Sequence, residues 1–284
     1  MYQFLTPSTT TEAVEFLKEK SNLRILAGGT DLIIALKDRT VTCDHLMDIK
    51  KIPDLHSINV TDAGLEIGAA VTFNEILDSG LLVDWYEAIA HSASSVANIL
   101  LRNRATLVGN ICHASPGGDT APSLLVTNAY VKTIAPEDVV PGGGRQVSIR
   151  DFFVGVRKHV LKPSEMVTKV IVPKVDGVSA FRKKKRIRGH DLAQVSVAIS
   201  YAKDGNLDIA FGSAAPTPLL IKLGSYQVTE LKSQKNKIIE EAVKSASPIS
   251  DVRSTKEYRV AMLKHMTGEI LDEIIEKISE KVRV

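Results

Sequence analysis

Two separated glycine-bearing segments carry the residues best suited to chemistry in this chain, and the chemistry they suit is the holding of phosphate. In the first, Leu26-Ala27-Gly28-Gly29-Thr30-Asp31, an apolar strand-like run ends at two residues without a Cβ, and a helix-like apolar pattern follows Asp31. A chain that leaves a strand, turns at glycine and starts a helix exposes N–H groups that no helical carbonyl satisfies, and the helix dipole favours an anion there. Thr30 adds a hydroxyl donor. The second segment, ATLVGNICHASPGGDTAP from Ala105 to Pro122, repeats this chemistry: Gly109 permits close backbone approach, and Thr106, Asn110 and Ser115 offer donors. Asp119 stands at a predicted helix start with Pro122 in the first turn. Its carboxylate reads either as an N-cap or as an acceptor for ribose hydroxyls, as acidic residues serve in other dinucleotide sites. The expectation is that both segments converge on one diphosphate.

A third cluster, Arg182-Lys183-Lys184-Lys185-Arg186-Ile187-Arg188, places six cations in seven positions. Strand alternation with Phe181 and Ile187 inward puts Lys183 and Lys185 on that same inward face and Arg182, Lys184, Arg186 and Arg188 outside. An inward ammonium needs a partner, either an anionic cofactor or a carboxylate such as Asp191, because leaving a buried ion unpaired costs several kcal/mol. The outward set reads as a solvated face or a subunit contact. Clustered aromatics and helix-turn-helix patterning, which would favour nucleic acid, are missing from the sequence. His113 beside Cys112, read on a strand, would point to the opposite face and form no catalytic pair. Cys43 and Cys112 supply neither four thiolates nor a zinc spacing and are expected to be free, buried thiols. The seven histidines form no HxxxH or HExxH, so no intrinsic metal is expected.

The 284 residues are 44% hydrophobic and 24% charged, which excludes a disordered chain, and the net charge of +3 is too small to imply a nucleic-acid partner. No apolar run approaches the roughly 20 residues of a membrane helix, and the first residues lack a basic stretch followed by an apolar one. The reading is cytoplasmic, with no membrane.

Elements must position these residues. Thr9 to Glu12 and Thr72 to Glu75 have capping-box spacing, predicting helices to about Lys20 and, in stretches, to about Leu100. Leu23 to Ala27 and His45 to Ile49 read as strands of a small βαβ-like unit, and Ile58 to Gly68 as a hairpin around Asp62-Ala63-Gly64. Strands are predicted over Ala129 to Ile134, Gln146 to Ile149 and Met166 to Val172, with a loose turn at Pro141-Gly142-Gly143-Gly144. After a boundary at Pro173 to Gly177, Ala180 to Ile187, Ala193 to Tyr201 and Leu207 to Ser213 suggest a three-stranded antiparallel sheet. A stripe of Leu263, Met266, Ile270, Ile274, Ile278 and Val282 predicts a packed helical tail in a small bundle.

AGGTD at Ala27 to Asp31 with ATLVGNICHASPGGDTAP at Ala105 to Pro122, in this order, resembles the FAD-binding medium subunit of the molybdenum hydroxylases, the xanthine dehydrogenase and carbon monoxide dehydrogenase family. The resemblance continues through Phe181-Arg182-Lys183, Asp191 to Val195 and Phe211 to Pro218, and so spans essentially the whole chain. It implies an α+β protein: an FAD-binding fold of the vanillyl-alcohol oxidase and p-cresol methylhydroxylase type in two lobes (1–55 and 56–174), then a C-terminal domain (175–284) with the three-stranded sheet and the bundle. By resemblance, Arg24, Ile25, Leu26, Ala27, Gly28, Gly29, Thr30 and Asp31 wrap the pyrophosphate together with Thr106, Val108, Gly109 and Asn110. Ser115 belongs to the same site, Asp119 holds a ribose, Val167 lines the ring pocket and Lys183 approaches the isoalloxazine. No histidine stands at the tethering positions of covalent relatives, so FAD is expected without a covalent bond.

Two positions depart from the family pattern. Val108 replaces a common glycine and would obstruct the loop if that position needs positive φ. Ile187 falls where relatives often carry arginine. The resemblance implies an electron-transfer subunit of an oxidoreductase complex, fed by an iron-sulfur small subunit, partnered by a molybdopterin large subunit and discharging to an external electron acceptor. The iron-sulfur clusters and molybdopterin belong to those partners, because this chain lacks the cysteines and the length for them. A stand-alone flavin oxidase or dehydrogenase, and less favourably a nucleic-acid-binding module, are the alternatives.

Overall fold

The computed structural model describes residues 2–138 and 144–283; the turn expected at Pro141 to Gly144 lies outside these apart from Gly144. The chain runs through β1 (Gln3–Leu5), α1 (Thr10–Glu19), β2 (Leu23–Leu26), α2 (Leu32–Lys37) and β3 (His45–Asp48), then β4 (Ile58–Thr61) and β5 (Gly64–Gly68). Helices α3 (Phe73–Asp78), α4 (Glu87–Ser95), α5 (Ile99–Arg102), α6 (Leu107–His113) and α7 (Ala121–Val126) follow. Next come β6 (Tyr130–Ile134), β7 (Gln146–Ser148), α8 (Ile149–Phe152), β8 (Phe153–Gly155), β9 (Lys158–His159) and β10 (Met166–Val172). The last part holds β11 (Gly177–Lys184), β12 (Val195–Ala202), β13 (Asn206–Gly212), β14 (Leu219–Ser225), α9 (Val228–Ser233), α10 (Lys235–Val243) and α11 (Lys256–Arg283).

The fold is α+β. A parallel sheet β1-β3-β2, an antiparallel sheet β4-β5-β10-β6-β7 and an antiparallel sheet β11-β12-β13-β14 carry it, beside the small β8-β9 pair. Both helix starts read from the sequence are present. Thr9 accepts from the Glu12 amide at 3.1 Å, although Glu12 reaches back to Ser8 rather than to Thr9. Thr72 and Glu75 form a reciprocal capping box, with Thr72 N donating to Glu75 Oε2 at 2.7 Å.

The C-terminal sheet has four strands, not the expected three. Leu219–Ser225 carries no clear strand pattern in the sequence, because it is the sheet edge, half-exposed without clean alternation and broken at Gly224, whose φ is +87°. The inner strands are buried on both faces, and their register explains how. Phe181, Ala198 and Ala210 stand opposite one another and join the core of the first 172 residues, while Ala180, Ile199 and Ile209 join a second core with α9, α10 and α11. Leu263, Met266, Ile270 and Ile274 fill that second core, as the stripe predicts; the side chain of Val282 lies outside the described set.

Buried hydroxyls join the layers. Ser179 Oγ donates to the Trp85 carbonyl at 2.6 Å and accepts from the Ala88 amide at 3.0 Å, fixing α4 to β11. Ser200 Oγ donates to the Val126 carbonyl at 2.8 Å, fixing α7 to β12. Elsewhere Glu165, 1% exposed in its side chain, takes a two-point contact from Arg145 at 2.6 and 2.8 Å and a third bond from the Lys162 amide. Burial alone raises this carboxyl, but the hydrogen bonds from Arg145, Thr133 and Lys162 hold it down at about 2.

Two outcomes follow for stability. Ser179→Ala strands the buried Ala88 N–H, so urea unfolding should show a loss of about 1–3 kcal/mol. The Glu165 carboxyl sits below its ordinary 4.5, so its stabilisation is complete above about pH 4.5 and fades as pH falls through about 2. Glu165→Gln should therefore lower the urea midpoint at pH 7, and the gap to the parent chain should shrink steadily in melts taken between pH 4.5 and 2.

Candidate functional site

The two glycine segments meet. Gly28 lies so close to the Arg104–Ala105 backbone that a Cβ there would stand 2.0 Å from the Arg104 oxygen and 2.8 Å from the Ala105 Cα. A side chain of any kind would part the two strips. Gly29 has φ +76°, a left-handed conformation that glycine adopts without penalty. Beyond it, Asp31 Oδ1 comes within 3.8 Å of His113 Nε2, a second crossing between the segments.

The strips present the donors that the sequence suggests. The five amides from Gly28 to Leu32 make no hydrogen bond to another described residue, nor do those of Leu107 and Val108. At the start of α6, Thr106 Oγ1 accepts from the Gly109 amide at 2.9 Å. Asn110 Oδ1 accepts from Thr120 Oγ1 at 2.7 Å, leaving its NH2 group unengaged among the described residues. Ser115 shapes the loop before α7, with its Oγ accepting from the Gly117 amide and its carbonyl from the Gly118 amide. Arg24 is exposed on β2, Ile25 is half-buried and Leu26 buried, and the Ala27 carbonyl is taken by Lys50 Nζ at 3.1 Å.

Asp119 and Lys183 find each other, at 2.7 Å, with side chains 10% and 3% exposed. Lys183 is thus the inward lysine of the basic run, and its carboxylate partner is Asp119, not Asp191. The ammonium also donates to the Ser95 carbonyl at 3.2 Å. Burial pushes the Asp119 carboxyl above the ordinary range, and Lys183 pulls against that rise. The other oxygen, Oδ1, is buried with no hydrogen-bond partner among the described residues. The N-cap reading of Asp119 fails, because Thr120 holds the cap position of α7.

Further expectations change here. Val108 does not obstruct: it sits in the first turn of α6 with an ordinary negative φ, 6% exposed in the core. Residues 107 to 113 are helical rather than extended, which places His113 and Cys112 about 100° apart around a helix, still unable to pair. Both cysteines are free but only half-buried, and burial of the Cys112 thiol pushes it up to about 12, so it is no nucleophile at neutral pH. Strand alternation stops at Lys184, so Ile187 is exposed rather than inward, Lys185 donates to the Gly189 carbonyl, and Arg186 pairs with Asp191. Arg182 pairs with Glu273. Three members of the run are thus engaged by carboxylates. Val167 is 4% exposed in the main core opposite Thr133, and its link to the other candidates is the packing of β10 against α6.

Sequence reasoning missed the seats against which these residues rest: the Arg104 and Ala105 backbone, the Ser95 carbonyl, and Ser213, whose amide donates to the Pro116 carbonyl at 2.8 Å. Only the Phe211 to Pro218 run hinted at the last of these.

Comparison with known proteins bears directly on what this cradle holds. Residues 1–175 match the family model of the FAD binding domain in molybdopterin dehydrogenase. The chain belongs to this family. Residues 179–274 match the CO dehydrogenase flavoprotein C-terminal domain. A xanthine dehydrogenase FAD-binding subunit of Escherichia coli O157:H7 is 30% identical over 287 residues, covering 97% of each chain. A glyceraldehyde dehydrogenase medium chain of Sulfolobus acidocaldarius is 28% identical, over 96% of this chain and 98% of that one. Among solved structures, a carbon monoxide dehydrogenase from Hydrogenophaga pseudoflava superposes with a TM-score of 0.85 at 26% identity, over 96% of each chain.

The geometry suits the FAD of this family. Unpaired amides and a bare backbone contact match an anionic diphosphate, and the orphaned Asp119 Oδ1 matches a hydroxyl donor. Gly28→Val should therefore weaken FAD binding at least about 100-fold, read by quenching of flavin fluorescence with circular dichroism confirming the fold. Gly80→Ala is the control: Gly80 has φ +69° with open space around it, so FAD binding should be unchanged despite a cost of about 1 kcal/mol.

Proposed function

We propose that the chain is the electron-relay subunit of a molybdenum hydroxylase complex, holding FAD without a covalent bond, taking electrons from an iron-sulfur subunit and passing them to an external acceptor. Bound FAD supplies the redox chemistry, accepting electrons at its ring and releasing them singly or in pairs. The residues of this chain bind, orient and tune. The Gly28 to Asp31 strip, continued back to Arg24, and the Thr106 to Asn110 strip engage the diphosphate with backbone amides and hydroxyls. Ser115 shapes the adjoining loop, Asp119 Oδ1 accepts a ribose hydroxyl, and Val167 borders the ring pocket. Lys183 brings a positive charge to the ring, which favours the added negative charge of reduction.

The observation that carries this reading is the meeting of the two amide strips at Gly28, with the buried Asp119–Lys183 pair beside them. Molybdopterin and the iron-sulfur clusters are assigned to a large and a small partner subunit, and the chain is divided at residues 55 and 174. A stand-alone oxidase would also need a base above the ring. Cys112 is unfit for that task and His113 is turned to Asp31.

The purified chain should be yellow, should turn over no substrate alone, and should be reduced when the iron-sulfur and molybdenum subunits are co-expressed with it. A colourless chain that FAD does not stain, or steady turnover by the isolated chain, would overturn the proposal. Lys183→Met should lower the flavin midpoint potential by roughly 30 mV or more, 30 mV being about 1.4 kcal/mol for a two-electron couple.

A further inference from the structure

Arg259, far along the sequence from every residue of the cradle, is 2% exposed and is the largest of the fully buried side chains. A buried guanidinium is costly unless its donors are taken; here both terminal nitrogens are engaged, while Nε has no partner among the described residues. Nη2 donates to Asp251 Oδ1 at 2.8 Å. Nη1 donates to the carbonyl of Gln194 and, at a longer 3.4 Å, to that of Ser213. Those carbonyls sit just before β12 and just after β13, at the same end of the sheet as Lys183 and the end of β11.

Each loop that Arg259 holds passes its position on to one member of the Asp119–Lys183 pair. From the first, the Gln194 amide donates to the Lys184 carbonyl at 2.8 Å, fixing the end of β11 next to Lys183. From the second, the Ser213 amide donates to the Pro116 carbonyl at 2.8 Å, three residues before Asp119. Ser213 holds this bond with φ +57°, a conformation uncommon for a residue with a Cβ, so the neighbouring contacts must maintain it. Asp251 is itself fastened by Arg253 at 2.7 Å, and the Gln194 side-chain amide donates to the Arg253 carbonyl at 2.6 Å, which closes the network. Lysine could keep the charge at position 259 but not the fork that reaches a carboxylate and two carbonyls together.

We infer that Arg259 is a positioning residue for the flavin site: it clamps the loops at Gln194 and Ser213 and thereby sets the geometry of Asp119 and Lys183 without touching the cofactor. The inference rests on the FAD reading above. It assigns to the C-terminal domain a role in cofactor binding that passes through loop geometry rather than through contact.

The test compares the full-length parent chain with Arg259→Lys, Arg259→Met and Asp251→Asn. In the FAD-free chains, hydrogen exchange of the amides of Ser115, Gly117, Gly118 and Asp119 should quicken in all three variants, while the amides of the first parallel sheet exchange as in the parent. In FAD titrations the dissociation constant should rise at least about tenfold for Arg259→Lys, and the midpoint potential should fall toward that of Lys183→Met. Should Arg259→Met fail to fold, the lysine and asparagine variants carry the comparison. Parent-like exchange at Ser115 to Asp119 together with parent-like FAD affinity in folded variants would overturn the clamp. If the parent itself binds no FAD, the flavin reading falls, and the exchange arm still decides whether Arg259 sets the loop.

Discussion

Everything at the site depends on one contact between two backbones. Gly28 rests on the Arg104 carbonyl at a separation that leaves no room for a Cβ, so the first amide strip is fixed by bare main chain against main chain. The strip beneath it is held from another side as well, because the Phe73 amide donates to the Ala105 carbonyl at 3.0 Å and Thr72 bridges to Thr106. Phe73 is fully buried behind the Thr72–Glu75 capping box, so the start of α3 is rigid. Such bracing keeps the unpaired amides from collapsing onto one another, and preorganised donors bind an anion without first being ordered.

The second constraint is electrostatic. Bringing Asp119 and Lys183 out of water is unfavourable for each, and the 2.7 Å contact offsets this only while both stay in place. The pair spans two layers: Asp119 lies in the loop leading into α7, and Lys183 at the end of β11. Because α7 is bound to β12 through Ser200 and α4 to β11 through Ser179, the two charges cannot drift apart without breaking buried hydrogen bonds. One carboxylate oxygen is consumed by the ammonium and the other is left over, so the pair is at once closed as a structural contact and open as an acceptor.

How much of this was legible in the sequence follows from the range of the interactions. Local rules succeeded where the physics is local: the caps at Thr9 and Thr72, the turn at Gly28-Gly29 and the apolar stripe of α11 each depend on neighbours within a few residues. They failed where a partner is remote or a period is interrupted. β1 has three residues, too few for alternation to register, and β14 is an edge strand whose residues are half-exposed. Alternation correctly turned Lys183 inward but was carried past Lys184, where the strand ends, and so misplaced Ile187. That Asp119 was the partner of Lys183 could not be read locally, since 64 positions separate them and Asp191 was nearer in sequence. The helical start at Thr106 was hidden because Leu107-Val108 and Ile111-Cys112 also suit a strand, and the Thr106–Gly109 cap decided the matter.

The C-terminal sheet is joined to the candidate site of the first part of the chain by Lys183, which it carries to Asp119. A strand aims a lysine at a fixed partner while its register holds, and here the sheet that carries Lys183 is covered on both faces. Phe181, Ala198 and Ala210 cover one face by packing into the first core, but Ala180, Ile199 and Ile209 on the other face need α9 to α11. Without those helices, the alternation that buries Phe181 would expose an apolar face. Register itself is set by the buried Phe181 face, since a slip of one residue would turn Lys183 outward and Arg182 inward, away from Glu273. The bundle therefore supports the sheet by covering its second apolar face, and Glu273 of α11 holds Arg182 on that side.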